Sequence, residues 1–211
     1  MLRALGVEFQ VVPTDVDEAL DGLSPEDLVI ENATRKALAG LELAGEGEGD
    51  VALGVDTEVF LEGRALGKAV MEAEARERLE ALSGRTHEVL SGIALAAGVP
   101  RDEGHEEHAL RSAQREPTAA AVDDRSPSLT TAVARTTVTF RTLDEPTLTA
   151  YLTSGEWRDR AGAYAIQGLG SLLVERVEGD VSNVVGLPLQ RLLELSPALF
   201  PGDFQRLPAD W

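Results

Sequence analysis

The sequence contains no cysteine and almost no lysine. Without cysteine there is no disulfide bond, no thiolate nucleophile and no cysteine-based zinc site. No run of 18 apolar residues could form a membrane-spanning helix, and the N-terminus lacks the basic, apolar and small-residue regions of a signal peptide. We therefore expect a cytoplasmic protein with no membrane partner.

Basic residues are also scarce as a class: 19 Lys and Arg stand against 37 Asp and Glu, for a formal net charge of −18. Nucleic-acid binding needs a cationic surface that displaces counterions from phosphate, so the charge argues against a nucleic-acid partner. Molar salt shortens the Debye length to about 3 Å and relieves the self-repulsion of such a chain. We expect a halophilic host; a GC-rich genome that replaces lysine codons with arginine codons is the alternative.

The hydrophobic pattern alternates between strands and helices and predicts one α/β domain over residues 1–211 with a mixed sheet. Predicted helices lie at 24–41, 71–82, 142–152 and 187–200. Predicted strands lie at 7–12, 51–55, 58–66 (a hairpin turning at Glu62-Gly63), 86–96, 131–142 and 171–179. Residues 98–128 are rich in charge, Ala, Ser and Pro, and we interpret them as a surface insertion.

Two lysines remain in a chain with 17 arginines, Lys36 and Lys68. Lysine is a compact point charge and arginine a planar fork, so a retained lysine indicates a position where shape matters. Asp56 follows an apolar run, and Asp17 and Glu18 form an acidic pair. Carboxylates and lysines together are typical of metal-assisted phosphoryl chemistry. The alternatives are an Asp56 that caps a turn and two ordinary surface lysines.

The segment 158–170 ("RDRAGAYAIQGLG") surrounds Tyr164 and Gln167 with small residues and places Arg158 and Arg160 before them. Glycine lets the backbone approach a ligand, and Gln167 offers a donor and an acceptor to a base edge. A tight helix-to-strand loop is the alternative interpretation.

The histidines give weaker signals. His105 and His108 form an H-x-x-H pair, but no third ligand accompanies them, so a solvated loop is favoured over a metal site. His87 is interpreted as an ordered polar residue rather than a base.

Several segments resemble, in order, the signature blocks of the Maf family of nucleoside triphosphate pyrophosphatases. They are "GVDTEVFLEGRALGKA" (54–69), "LSGRTHEVLSGIAL" (82–95), "VTFRTL" (138–143) and "AGAYAIQGLGSLLVERVEGDVSNVVGLPL" (161–189). The resemblance runs from about residue 4 to 195 and is interrupted at 98–128. It implies a two-lobed α/β protein with a nucleotide cleft between the lobes, which cleaves between the α- and β-phosphates.

The resemblance also implies roles for single residues. The catalytic aspartate falls on Asp56, the lysines on Lys36 and Lys68, and the loop acid on Glu18 or Asp17. A divalent cation, Mg²⁺ or Mn²⁺, is implied near Asp56 and Glu18. Arg160 stands where the family has a lysine. The base-reading positions are Thr57 and Gln167, and "AGAYAIQG" is the form typical of the branch that acts on dTTP and UTP.

One block of the family pattern is missing. The family opens with a strand and a Ser-x-Ser-Pro-Arg-Arg loop that binds the triphosphate, and this chain matches the family only from the segment after that loop. We expect a misassigned or truncated start. A non-catalytic nucleotide-binding or division-linked regulatory homologue is the first alternative, and an inosine-triphosphate-type pyrophosphatase is the second. The oligomeric state is open, with a homodimer suggested by family analogy.

Overall fold

The computed structural model describes residues 1–18, 22–44, 51–98 and 127–202. Its α-helices are α1 (Pro25–Ala44), α2 (Glu72–Leu82), α3 (Glu145–Ser154), α4 (Val181–Val185) and α5 (Leu189–Leu195). Its strands are β1 (Val51–Leu61), β2 (Arg64–Ala65), β3 (Thr86–Ala97), β4 (Ser128–Phe140) and β5 (Val174–Glu178). Short 3₁₀ helices cover Leu2–Leu5, Gly168–Leu173 and Pro197–Leu199. None of the helices in these ranges has the length and apolar character needed to cross a bilayer.

The strands form one sheet in the order β2-β1-β3-β4-β5, with helices packed against it. The predicted α/β class is confirmed. Every strand pair in the described residues is antiparallel, so the expected mixture with parallel strands is not seen there. The predicted hairpin turns where it was expected, because Glu62 (φ 52°) and Gly63 (φ 76°) both adopt the left-handed backbone that a tight hairpin requires.

Several predicted boundaries were wrong. Strand β1 is continuous from 51 to 61, so Asp56 lies in its middle rather than after its end. Residues 7–12 form no strand, and they leave Phe9 and Val11 40% and 73% exposed. The start of the predicted strand at 171–179 is a 3₁₀ turn. The predicted 98–128 insertion falls almost wholly outside the described residues.

The start of α3 also differs from the expected cap at Thr142. Asp144 is the N-cap, and its carboxylate accepts a hydrogen bond from the Thr147 amide at 3.0 Å. Pro146 follows in the first turn, where its missing N–H costs nothing, so the helix begins one residue after Asp144. Gly155 ends the helix in the left-handed conformation, as expected from its position.

Helix α1 lies unusually close to the sheet because two glycines face it. A Cβ on Gly54 of β1 would lie 2.1 Å from the Ala33 carbonyl oxygen, and one on Gly92 of β3 would lie 2.0 Å from the Val29 carbonyl oxygen. Any side chain at either position would push the helix away. Gly92 is also the cross-strand partner of Asp56. The two glycines therefore bring polar side chains of α1 within reach of Asp56.

Candidate active site

A cleft of about 460 Å³ lies beside β1. Its walls come from α1, from β1 and β3, from the turn after β2, from residues 156–167, and from the end of α4 with Gly186. Its size is within the range of small-molecule sites. We call Lys36, Asp56 and Lys68, with Glu18 joined through Lys36, the charged end of the cleft. We call Thr57 and the wall of residues 156–167, which carries Gln167, the loop end.

Asp56 is the centre of the charged end. The Lys36 ammonium donates to its Oδ1 at 2.6 Å, and the Asn32 amide donates to its Oδ2 at 3.3 Å. Asn32 and Lys36 are one helical turn apart and so share the face of α1 that the two glycines bring against β1. The Asp56 side chain is 11% exposed. The Asp56 carboxylate is therefore partnered on both oxygens yet still reached from the cleft.

Glu18 joins this group through the same lysine. Its carboxylate lies 2.6 Å from the Lys36 ammonium, which thus bridges two acids. Arg35 holds the preceding loop by donating to the Asp17 carbonyl oxygen at 2.8 Å. The acid that reaches the cleft cluster is therefore Glu18, while Asp17 is held through its backbone.

The ion pairs change the acidity of both partners. The hydrogen bond from Lys36 lowers the pKa of Glu18, against the opposing effect of partial burial. Burial acts to lower the pKa of Lys36, but the hydrogen bonds to Asp56 and Glu18 together outweigh it and raise that pKa. The lysine stays protonated and the glutamate ionised near neutral pH, so this end of the cleft carries fixed charges.

Lys68 lies in a turn whose backbone is held by charged side chains. Arg78 of α2 donates to the Leu66 carbonyl oxygen at 2.6 Å and to the Lys68 carbonyl oxygen at 3.2 Å. Glu58 of β1 accepts from the Gly67 amide at 3.0 Å. The backbone of Lys68 also forms a bridge with residue 161. Among the described residues the Lys68 ammonium has no ion-pair partner within 4 Å, which leaves it available to a ligand.

Glu58 is a second carboxylate close to Asp56 that the sequence reasoning did not single out. Burial raises its pKa, opposed by the amide hydrogen bonds of Val59 and Gly67 and assisted by the charge of Asp56. Its Oε1 atom is occupied by those two amides at 2.7 and 3.0 Å. We therefore assign Glu58 to support of the turn rather than to the reacting group.

The loop end combines a sheet-borne hydroxyl with an exposed loop. Thr57 and Ser91 are cross-strand partners whose hydroxyl oxygens lie 2.7 Å apart, and Ser91 is fully buried. Gln167 and Arg160 are exposed residues of the 156–167 wall. Tyr164 lies below them, 5% exposed. A hydrogen-bonding hydroxyl and a carboxamide therefore face the same cavity.

His87 supports this loop from beneath. Its Nε2 lies 2.9 Å from the Tyr164 hydroxyl, and its ring meets the rings of Phe140 and Tyr164 edge to face. Burial lowers the pKa of His87 to about 4 and raises the pKa of Tyr164. Both side chains are neutral near pH 7, which agrees with the interpretation of His87 as an ordered polar residue.

The structure brings the predicted site residues together. Six of them line the cleft: Lys36, Asp56, Thr57, Lys68, Arg160 and Gln167. Glu18 joins through Lys36. His105 and His108 lie outside the described residues. Sequence reasoning missed Asn32, Glu58, Arg78, Ser91 and Glu156; for Glu156, its position directly after the helix-ending Gly155 was the available signal. In the described ranges no group of three or more His, Asp or Glu side chains is arranged to hold a metal ion.

The Maf family profile, described as Maf-like protein, matches residues 1–198. The chain belongs to the Maf family. Among curated proteins, one from Bacillus cereus (strain ATCC 10987 / NRS 248) named dTTP/UTP pyrophosphatase is 38% identical over 194 residues, which are 92% of this chain and 80% of that protein. Proteins of the same name from Bacillus cereus (strain AH820) and Bacillus anthracis are 38% and 37% identical over 92% of this chain and 85% of their own length. In this Maf protein, most of the residues that the family resemblance indicated line the cleft, and Glu18 is joined to it through Lys36.

Proposed function

We propose that this Maf protein is a nucleoside triphosphate pyrophosphatase that hydrolyses dTTP and UTP to the monophosphate and pyrophosphate. The observation that carries the proposal is the joining, in one cleft, of the Lys36–Asp56 pair with Lys68, Thr57 and Gln167. The relatives named dTTP/UTP pyrophosphatase support the choice of substrate. Such an activity clears surplus or non-standard pyrimidine nucleotides and belongs in the cytoplasm, where the nucleotide pool lies.

The proposed step is an attack of water on the α-phosphorus. Asp56 accepts a proton from the water, a new oxygen–phosphorus bond forms, and the bond to the bridging oxygen breaks so that pyrophosphate leaves. Lys36, Lys68 and Arg160 offset the charge that develops on the phosphate oxygens. In the free protein two carboxylates neutralise Lys36. Incoming phosphate oxygens compete for that ammonium and free Asp56 to act as the base.

The charge balance of the cleft fits a divalent cation. Two carboxylates, those of Glu18 and Asp56, share the single ammonium of Lys36, so one carboxylate charge has no ion-pair partner of its own before a triphosphate binds. Mg²⁺ is commonly held by one or two carboxylates together with substrate phosphates, which suits Asp56 and Glu18 better than a closed protein cage. Mg²⁺ or Mn²⁺ bound there would neutralise phosphate charge.

At the loop end, Thr57 and Gln167 read the hydrogen-bonding edge of the pyrimidine. Purines are excluded mainly by the size of the cavity, whose apolar lining includes Val59, Val89 and Val184. Gln167 can donate and accept at once, as a uracil or thymine edge requires. The selectivity therefore depends on how firmly the Gln167 loop is held.

The deciding experiment measures pyrophosphate release from dTTP, UTP, 7-methyl-GTP and ITP with Mg²⁺, at low salt and near 1 M KCl. We expect turnover of dTTP and UTP, with higher activity in salt if the acidic surface is an adaptation to a saline cytoplasm. Nucleotide binding without turnover would favour the non-catalytic alternative. A preference for ITP would favour the purine-type alternative.

A further inference from the structure

The loop end contains a carboxylate whose role is not explained by phosphate chemistry. Glu156 lies just after α3 and lines the cleft, and it is only partly exposed. Its Oε1 accepts from the Leu169 amide at 3.0 Å and its Oε2 accepts from the Gly170 amide at 3.1 Å. These amides belong to the 3₁₀ helix that begins directly after Gln167. One carboxylate thus holds two consecutive backbone N–H groups of the base-reading loop.

The backbone of the loop is shaped to receive this carboxylate. Gly168 has φ +83°, and a Cβ at that position would lie 2.6 Å from the Glu156 Oε1 atom. Gln167 is the N-cap of the 3₁₀ helix, but its side chain makes no cap hydrogen bond. The glutamate therefore does the capping from outside the loop, and among the described contacts no hydrogen bond occupies the Gln167 carboxamide.

Glu156 is itself held firmly. Its amide donates to the Ser154 hydroxyl at 3.2 Å. The next residue, Trp157, is 2% exposed and donates from its indole nitrogen to the Leu152 carbonyl oxygen at 3.0 Å. The side chain therefore projects from a backbone fixed between the end of α3 and the core. A hydrogen-bonding group on such a backbone can fix the position of the loop that it contacts, whereas a group on a mobile loop cannot.

A second contact from α3 holds the loop on the other side of Gln167. The Tyr151 hydroxyl accepts from the Ala165 amide at 3.1 Å, and Tyr151 is 3% exposed. Gln167 is thus flanked by two backbone anchors, one to Tyr151 within α3 and one to Glu156 just after it. Recognition of a base edge by one carboxamide needs this restraint, since small displacements weaken both hydrogen bonds.

We propose that Glu156 is a positioning residue for base selection, which acts through Gln167 by holding its loop rather than by touching the nucleotide. The inference rests on the proposed function, in which Gln167 reads the base. UTP and CTP test it best, because their rings are equal in size and differ in the hydrogen-bonding pattern of one edge. Selectivity between them depends on the placement of the carboxamide and little on the size of the cavity.

The experiment measures kcat/KM for UTP and CTP in the wild type, Glu156→Gln, Gln167→Ala and the double variant. Glutamine leaves one acceptor oxygen and turns an NH₂ group toward an amide. We expect Glu156→Gln to reduce the UTP/CTP ratio about tenfold, the worth of roughly one well-placed hydrogen bond. The double variant should be no less selective than Gln167→Ala, because both changes disable the same contact.

Asp159→Asn is the matched control. It removes the same charge from the same wall, and no hydrogen bond joins Asp159 to residues 168–170 among the described contacts. Its UTP/CTP ratio should match that of the wild type. Tyr151→Phe is the second variant; it deletes only the acceptor for the Ala165 amide and should shift the ratio in the same direction by less.

Three results would overturn the inference: a wild-type ratio in Glu156→Gln, losses that simply multiply in the double variant, or an equal shift in Asp159→Asn. Multiplied losses would mean that Glu156 contacts the nucleotide itself. Thermal unfolding of each variant confirms that the folded protein is compared. A wild-type protein that hydrolyses neither UTP nor dTTP would instead contradict the proposed function, and that result appears before any variant is made.

Discussion

The charged end and the loop end of the cleft are held in different ways. At the charged end the key contacts join side chains to each other: Lys36 bridges Asp56 and Glu18. At the loop end the key contacts join side chains to backbone: Glu156 holds the Leu169 and Gly170 amides. Side-chain pairs can be exchanged for ligand contacts without moving the chain, whereas a backbone clamp fixes the chain before the ligand arrives.

This difference indicates a division of work. The charged end has compensated charges that a triphosphate can replace, so its arrangement is expected to change on binding. The loop end has neutral buried supports, His87 and Tyr164, and is expected to stay as it is. Variants at the two ends should therefore separate: those at the charged end affect the chemical step, and those at the loop end affect the choice of base or the stability of the fold.

The largest expected effect is that of Asp56→Asn. The amide keeps the shape of the carboxylate but cannot accept the proton of the attacking water, so kcat for dTTP should fall about 10³-fold. Binding of thymidine, which has no phosphate, should be unchanged when measured by calorimetry because the loop end is untouched. Glu42→Gln, at an exposed position of the same α1 helix, is the control and should keep wild-type kcat. A high kcat in Asp56→Asn would remove Asp56 from the role of base.

We expect the buried His87 of the loop end to make the stability of the fold depend on pH. Burial lowers the pKa of His87 from 6.5 to about 4, so between these values the unfolded chain binds a proton that the folded protein does not. The free energy of unfolding should therefore fall as pH drops from 6.5 to about 4, by up to about 3 kcal/mol from this group. His87→Gln does not titrate and should show a flatter decline in urea unfolding at a series of pH values. Parallel curves for the two proteins would contradict this assignment.

The residues of the charged end were largely predictable from the sequence. Two lysines in an arginine-rich chain drew attention to Lys36 and Lys68, and the family blocks pointed to Asp56. The sequence pattern misplaces Asp56 because the polar Asp-Thr-Glu run interrupts the apolar residues of β1 and predicts two strands where the structure has one. The burial of Asp56 depends on Gly54 and Gly92, and the sequence alone does not show that α1 packs against these two glycines.

The supports of the loop end were less predictable. Glu156 and Tyr151 act on backbone amides, which every residue except proline possesses, so no pairing pattern marks them in the sequence. Gln167 was recognised from its loop, but the clamp that holds it depends on the meeting of α3 with a segment more than ten residues away. Such long-range contacts to backbone are set by tertiary packing rather than by local pattern.

A further test concerns the shape of the charge at Lys68. Lys68→Arg keeps the charge but replaces a compact ammonium with a planar fork, on a turn whose backbone is fixed by Arg78 and Glu58. We expect kcat/KM for dTTP to fall about tenfold in Lys68→Arg and about a hundredfold in Lys68→Ala. Full activity of Lys68→Arg would mean that this position requires only a positive charge and not the compact shape of the lysine ammonium.

The smallest expected effect separates the turn from the ammonium that it carries. Arg78→Met removes the donors to the Leu66 and Lys68 carbonyl oxygens while keeping much of the length of the side chain. We expect kcat/KM for dTTP to fall about fivefold, because Lys68 then samples more positions. Arg76→Met is the control: Arg76 pairs with Glu80 and Glu145, and its loss should cost some thermal stability without loss of activity. Equal losses of activity in both variants would show that α2 acts only through the general stability of the fold. A loss that is confined to Arg78→Met, and that disappears when Lys68 is already replaced by alanine, would show that a side chain holding backbone also positions a residue of the charged end.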